Sequence, residues 1–504
     1  MGLMLPRFLS MSAAAAVLLV SITASTAIAK SAVNPTPNLG FIEFPNSGNR
    51  SAQAVFLTGV KALHNFEFED ASEAFLLAQI ADPTFALAYW GEAMSLNQPL
   101  WARQDKTAAL AVLGRFAPTP AARKSRIPVG TERGLMEAVD ILYGQGDKLS
   151  RDIAYAEAMS KLHKTYPRHD EIATLYALSL LGTVRPGDIG FRRQILAGSI
   201  AMKVLERNPD HPGAAHFIIH AFDDPDHAIL ALPAALAYAD IAPDASHALH
   251  MPSHIFLQLG MWDGVVASND VSYKAALNHA EIKNISRGGS EYHALQWYHY
   301  GQLQRGNLEG AEWALDEALR TLEAFQTARV RNATMMIVAR HYIETEKWAG
   351  FDFSMITDLD RTHANLQFAV GLSAAHRGQF DQAMMAIENL SDLRQKRAQN
   401  PSTAYNSKII HIGEMELKAV LAVLAGDDAA AERHMIGAIE IEETLNAPSG
   451  PPFPMKPAFE MYGEFLVEKG RYYEAARQFN KVLERAPNRT KSIQGLEWAL
   501  SNME

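Results

Sequence analysis

The chain of 504 residues contains no cysteine. No disulfide can staple it, and no thiolate can serve as a nucleophile or metal ligand. Any metal site must draw on His, Asp, Glu or Met. Beyond the N-terminal stretch there is no apolar run long enough to cross a bilayer. Positive charge is not in excess either: 46 Lys and Arg stand against 56 Asp and Glu, a formal net charge of -10. A basic stripe is therefore missing, and nucleic acid is not an expected partner. The sequence also lacks an HExxH zinc motif, a G-x-S-x-G elbow and a phosphate-binding glycine loop. Whether the protein is an enzyme stays open at this point.

The first residues read as an address. Arg7 supplies a positive n-region, Ser12 to Ile22 is small and apolar, and Ala27-Ile28-Ala29 fits an A-x-A cleavage site. Residues 1–29 are expected to be a signal peptide, with a mature start at Lys30 and a periplasmic or secreted location. The alternative is an uncleaved anchor, for which the run is short and rich in small residues. No cysteine follows the cleavage site, so a lipoprotein anchor is excluded. Residues 30–50 read as an extended segment.

What the sequence does have is an internal period. Pro212 to His279 divides into two consecutive units in which thirty-four residues separate His216 from His250, and His220 from His254. Each pair is spaced i, i+4, so on a helix both imidazoles leave one face. At the C-terminal end, Tyr462-Gly463, Gly470, Ala475, Phe479 and Pro487 mark a helix pair. Near the N-terminus Gly59, Ala71, Phe75, Ala78 and Pro83 repeat that spacing. Weaker copies centre on Gly306, Gly371, Gly378 and Gly426. These positions resemble tetratricopeptide repeats. The resemblance implies an all-α fold, a right-handed superhelical solenoid of about ten to eleven helix pairs. Residues 51–350 would form the histidine-bearing array and 351–504 a second array. An apolar stripe in the last helix (Ile493, Leu496, Trp498, Leu500) would cap it. Arg103 to Arg133 reads as an insertion with a short helix and exposed loops. Asn284 to Ser290 and Thr183 to Gly190 read as loops, either functional or tolerated surface insertions.

In tetratricopeptide folds, positions 2, 5, 9, 12 and 13 of each unit face the concave wall. Counted this way, His216 and His220 fall at 5 and 9, and Asp223 and Asp224 at 12 and 13. In the next unit His247, His250 and His254 fall at 2, 5 and 9. His293 and Tyr300 take 2 and 9 in the following unit, His64 takes 13 in the first and Trp90 takes 5 in the second. Arg340 takes 9 if its unit starts at Asn332. HFIIHAFDDP, HALHMPSHIF and LHNFEFEDASEAF also resemble segments of exported bacterial tetratricopeptide proteins. That resemblance covers most of residues 50 to 350 and makes His64, Trp90, His216, His220, His250, His254 and His293 one constellation. It implies a fold and no reaction.

Two functions follow. In one, His216, His220, His250 and His254 bind Zn, Cu or Fe, or the hollow takes a small polar ligand. Asp223, Asp224, His247, His293 and His64 would then be further ligands or orient the imidazoles, with Asp223 or Asp224 as general base if there is catalysis. In the other, the groove holds a peptide of a partner protein without metal, gripped by Trp90, Tyr300 and Arg340. Buried structural histidines are the bland reading. Pro252 decides part of this. Inside a helix it would kink it; as the first helical residue it would leave His250 on the entering loop and loosen the four-histidine geometry.

Overall fold

A computed structural model describes residues 37–188, 190–285, 291–348, 363–400 and 403–503. The signal peptide, residues 30–36 of the extended segment before the first helix, the 350/351 boundary and the Asn284–Ser290 loop beyond residue 285 lie outside the described residues. Among those described, the chain is an all-α array of antiparallel helix pairs, with one short ribbon pairing Asn97–Gln98 with Arg103–Gln104.

The helix pairs pack as their small and large positions dictate. In the first pair (Arg50–His64 and Phe68–Ala81), the ring of Phe75 enters the space left by Gly59, where a Cβ would sit 3.0 Å from it. Phe75 also fills the space beside Gly91 on the next helix, Ala86–Ser95. The same arrangement recurs about four hundred residues later. Phe479 of Tyr472–Arg485 lies against Gly463 of Ala458–Glu468, where a Cβ would be 2.9 Å away, and against Gly495 of Thr490–Ser501. In both places one phenylalanine joins two successive repeats. Each is fully buried, an effect of about 2–3 kcal/mol per ring. This is the packing of tetratricopeptide-like units.

Helix ends follow local chemistry. Asn49 caps the first helix through its side chain, and Asp147 and Asp427 cap Lys148–Thr165 and Asp428–Glu442. The Ala458–Glu468 helix ends at Gly470, which adopts φ 70°, while the Arg471 amide donates back to the Leu466 carbonyl at 2.9 Å. This is the left-handed turn that glycine makes at least cost. The Arg50–His64 helix ends in the same turn, with Glu67 N donating to Ala62 O at 3.0 Å, but the left-handed residue is Phe66 at φ 58°.

Two expectations are corrected here. Arg103–Arg133, expected as an insertion with a short helix and exposed loops, holds two helices and is part of the array. Its Lys106–Phe116 helix packs on Ala86–Ser95 as a regular partner, and a second helix, Pro120–Arg126, follows. The last helix covers its neighbour with Ser492 and Ala499, while Trp498 and Leu500 face solvent. The apolar stripe read from the sequence is thus only partly used.

The last repeats return to the histidine-bearing units. Asn488 Nδ2 donates to Leu259 O at 3.1 Å, and Trp262 Nε1 donates to Asn488 O at 3.2 Å. Gln258 Nε2 donates to Pro448 O at 2.9 Å, and Gly450 lies against the Trp297 ring. Pro448 and Gly450 therefore lie close to the histidine cluster.

Candidate metal centre

The histidines of the two units come together, but not as one group of four. Among the described residues they form two trios. His216 and His220 join His247, and His250 and His254 join His293. Within each trio the nearest ring nitrogens all lie within 4.8 Å of one another. The repeat register explains the division. Positions 5 and 9 of one unit meet position 2 of the next, and the rule holds twice. His247 and His293, read from the sequence as supporting residues, stand as full members.

Pro252 does not spoil the geometry. Ser246–His250 and Pro252–Gln258 are separate helical segments, with Pro252 in the first turn of the second. Met251 between them keeps helical angles, φ -57° and ψ -34°. The chain is kinked rather than broken, and His250 Nε2 stays 3.1 Å from His254 Nε2. Across the other trio His216 Nε2 lies 3.2 Å from His247 Nε2. Two nitrogens each about 2.0–2.1 Å from a tetrahedral zinc-like ion would be about 3.3 Å apart. Both observed spacings suit that.

Hydrogen bonds on the far side of the rings fix which nitrogen carries the proton. His250 Nδ1 contacts Asn269 Oδ1 at 2.6 Å, and Asn269 Nδ2 donates to Val265 O at 2.8 Å, so the amide oxygen must face the ring. His254 Nδ1 contacts the Asp223 carboxylate at 2.6 Å. His216 Nδ1 contacts the backbone carbonyl of His64, also at 2.6 Å. Each partner only accepts, so each Nδ1 donates, and in a neutral ring the Nε2 then presents a lone pair. A metal ligand must be neutral imidazole, and in that state two lone pairs face each other across the His250–His254 pair. His220 Nε2 is buried with no hydrogen-bond partner. Gln258 donates to the second Asp223 oxygen at 3.3 Å and holds it in place.

The surroundings disfavour the protonated form of His216, His220, His247, His250 and His293. Burial pushes His216 down to about 3 and lowers His220, His247 and His250 well below the usual imidazole value, with neighbouring rings adding to the effect. His293 is brought down to about 4 by desolvation, then by His254 and Arg329. The residue is nonetheless exposed on its surface side.

Aromatic rings bound the hollow. Phe66 lies 4.4 Å from the His216 ring centroid and stacks on His220 and His247 at 5.8 and 5.6 Å. Trp297 lies 4.3 Å from His254 and 5.1 Å from His250. Sequence reasoning missed Phe66, Asn269, Gln258 and Trp297. Trp297 and Gln258 left a signal, each four residues after a site histidine, His293 and His254, on the same helical face.

Several expected site residues lie elsewhere. The His64 ring pairs with Glu171 at 2.7 Å, and Glu171 lies 3.2 Å from His211 Nε2. Ala214 N donates to His211 Nδ1, so the His211 proton sits on Nε2 and points at the carboxylate. This cluster is a hydrogen-bonded clamp, and His64 reaches the hollow only through its carbonyl. Burial opposes the charged form of Glu171, yet His64 and His211 hold its carboxyl well below the usual range. Asp224 accepts from the Asp226 and His227 amides and pairs with the His227 ring, away from the trios. Trp90 is fully buried in the core, against Phe44. Tyr300 and Arg340 are buried too. The Arg340 guanidinium lies 4.9 Å over the Tyr300 ring and donates to Pro452 O. None of these three offers a side chain to a ligand in an open groove, because each fills space between packed helices.

No family model and no curated protein matches the chain. Among solved structures it is similar over 92% of its length to 91% of a human IFIT1 dimer with m7Gppp-AAAA, at 14% identity and a TM-score of 0.39. It is similar over 90% of its length to 96% of yeast Tom70, at 11% identity and a TM-score of 0.36. Over 92% of its length it is also similar to 79% of one chain in the APC/C hetero-tetramer Cut9-Hcn1, at 14% identity and a TM-score of 0.35. The fold assignment rests on the helix packing described above and not on these likenesses. Among the described residues no helix is long and apolar enough to cross a membrane.

Proposed function

We propose that this chain is an exported helical-repeat protein that binds a divalent transition-metal ion through the Nε2 atoms of its histidine hollow. One observation carries the reading. His250 Nε2 and His254 Nε2 face each other at 3.1 Å, with both Nδ1 protons committed to Asn269 and Asp223. When both rings are neutral their facing lone pairs repel, and a cation between them removes the repulsion. Desolvation disfavours a proton on His250. A metal ion satisfies the same geometry, and imidazole held by an outer carboxylate or amide is how proteins orient metal ligands. Neutral nitrogen donors suit Zn, Cu or Fe rather than Mg or Ca. Three histidines also leave one position for water or a substrate, as catalytic zinc sites do.

The peptide-groove reading rests on the helical-repeat fold and on Trp90, Tyr300 and Arg340; the burial of those three side chains removes their part and leaves the fold's. Metal analysis of natively purified protein tests the proposal, beside metal-stripped protein reconstituted with Zn or Cu. Bound metal in the wild type and its loss in His250→Ala is the expected result. Wild type that remains free of metal after reconstitution would sink the proposal.

A further inference from the structure

The two trios are not separated by more than they are wide. Ring centroids across the boundary are 6.0 Å apart for His220 and His254, and 6.1 Å for His247 and His250. Inside the first trio His220 and His247 are 6.5 Å apart. The six rings therefore line one hollow. Each trio is built by the same rule, one repeat apart, so whatever one trio binds the other is equipped to bind.

The charges are laid out in the same doubled way. No ring contributes negative charge, but one carboxylate stands behind each trio. Asp223 contacts His254 Nδ1. Glu67 accepts from the backbone amide of His247 at 3.3 Å and from Ser246 Oγ at 3.1 Å. The pattern is two ligand sets and two outer carboxyl groups, with one open position per set. Two dications side by side repel strongly, and six neutral imidazoles do nothing to offset that. A small anionic ligand shared between them does.

Resting on the metal reading above, we propose that the two trios hold a pair of transition-metal ions as one dinuclear centre. The pair shares a bridging oxygen ligand, hydroxide in the resting state, formed when a bound water releases its proton to solvent. Its substrate class is a small molecule that presents an oxygen atom to both ions. Paired ions about 3.5–4 Å apart act on such ligands by polarising them from two sides.

Two ligands are suited to the test. His293 is exposed, and His220 Nε2 makes no hydrogen bond, so alanine at either leaves no donor stranded. Metal-stripped wild type, His293→Ala and His220→Ala would each be titrated with Cu(II) and followed by electron paramagnetic resonance. Wild type is expected to take two ions per chain. The signal should grow with the first equivalent and fall with the second, as the bridge couples the two spins. Each variant should take one ion and show the full signal of an isolated Cu(II). Azide, as a probe bridging anion, should bind with one molecule per ion pair in wild type. One ion per chain in wild type would overturn the pairing and leave the metal reading intact. Two ions with undiminished, independent signals would also overturn it. No bound ion at all would overturn both.

Discussion

Asp223 holds the Nδ1 proton of His254 at 2.6 Å, thirty-one residues away in sequence, and so aims the opposite nitrogen at His250. The contact joins the turn after the first helix of one repeat to the first helix of the next. It makes the carboxylate part of the site although it need never touch a metal.

Asp223→Ala should therefore weaken metal binding without removing a ligand. Loss of an outer partner of this kind typically costs 10–100-fold in affinity, and about that is expected here. Competition titration against a chelating dye reads it directly. Unchanged affinity would mean that His254 does not depend on its carboxylate.

Metal should also stabilise the fold. An ion that binds only the folded state adds about 2.7 kcal/mol at a hundred times its dissociation constant. Denaturant unfolding should show a chelator lowering the midpoint of wild type. In a His220→Ala, His293→Ala double variant the chelator should have little effect.

Much of this was legible in the sequence, and the reasons for the remainder are physical. The Gly59–Phe75 and Gly463–Phe479 spacings report helix packing because each contact is local and repeated. The doubled His216/His220 and His250/His254 pattern reports a shared wall for the same reason. The trios were not legible, since each is closed by position 2 of the following unit. The contacts that fix the tautomers also leave no period: Asn269 lies on the second helix of its unit, and the His64 carbonyl lies 152 residues from His216. Trp90, Tyr300 and Arg340 sit in register positions that usually face the groove, and tertiary packing buried them.

Phe66 supplies a test of backbone strain. A left-handed conformation costs a non-glycine residue about 1–2 kcal/mol. Both Phe66→Ala and Phe66→Gly lose the ring that stacks on His220 and His247. Glycine recovers the backbone cost, so Phe66→Gly should be more stable than Phe66→Ala by about 1 kcal/mol. Equal midpoints in chemical denaturation would argue against that account.

The joint between the last two repeats is tight. A Cβ at Gly495 would run into the Phe479 ring, which already touches Gly463. Gly495→Ala should lose about 1–3 kcal/mol through overpacking, although alanine is the better helix former. Thermal unfolding of the two proteins checks the sign.

Stability should also depend on pH through Glu442. Burial pushes its carboxyl up to about 7, despite Arg485 and a hydrogen bond from the Ala458 amide. The folded state thus holds a proton that the unfolded chain releases near 4.5. This stabilising contribution is complete below that value and is lost as pH rises through about 7, for a total of about 3 kcal/mol at most. Relative to Glu442→Gln, wild type should become less stable between pH 5 and pH 8. A constant difference across that window would contradict the assignment.

The most direct test of the central claim is X-ray absorption spectroscopy at the metal edge of the reconstituted protein. Imidazole nitrogens at about 2.0–2.1 Å, three per ion, are what the trios predict. A shell of oxygen donors alone, or the same spectrum after His250→Ala and His216→Ala, would contradict a histidine centre.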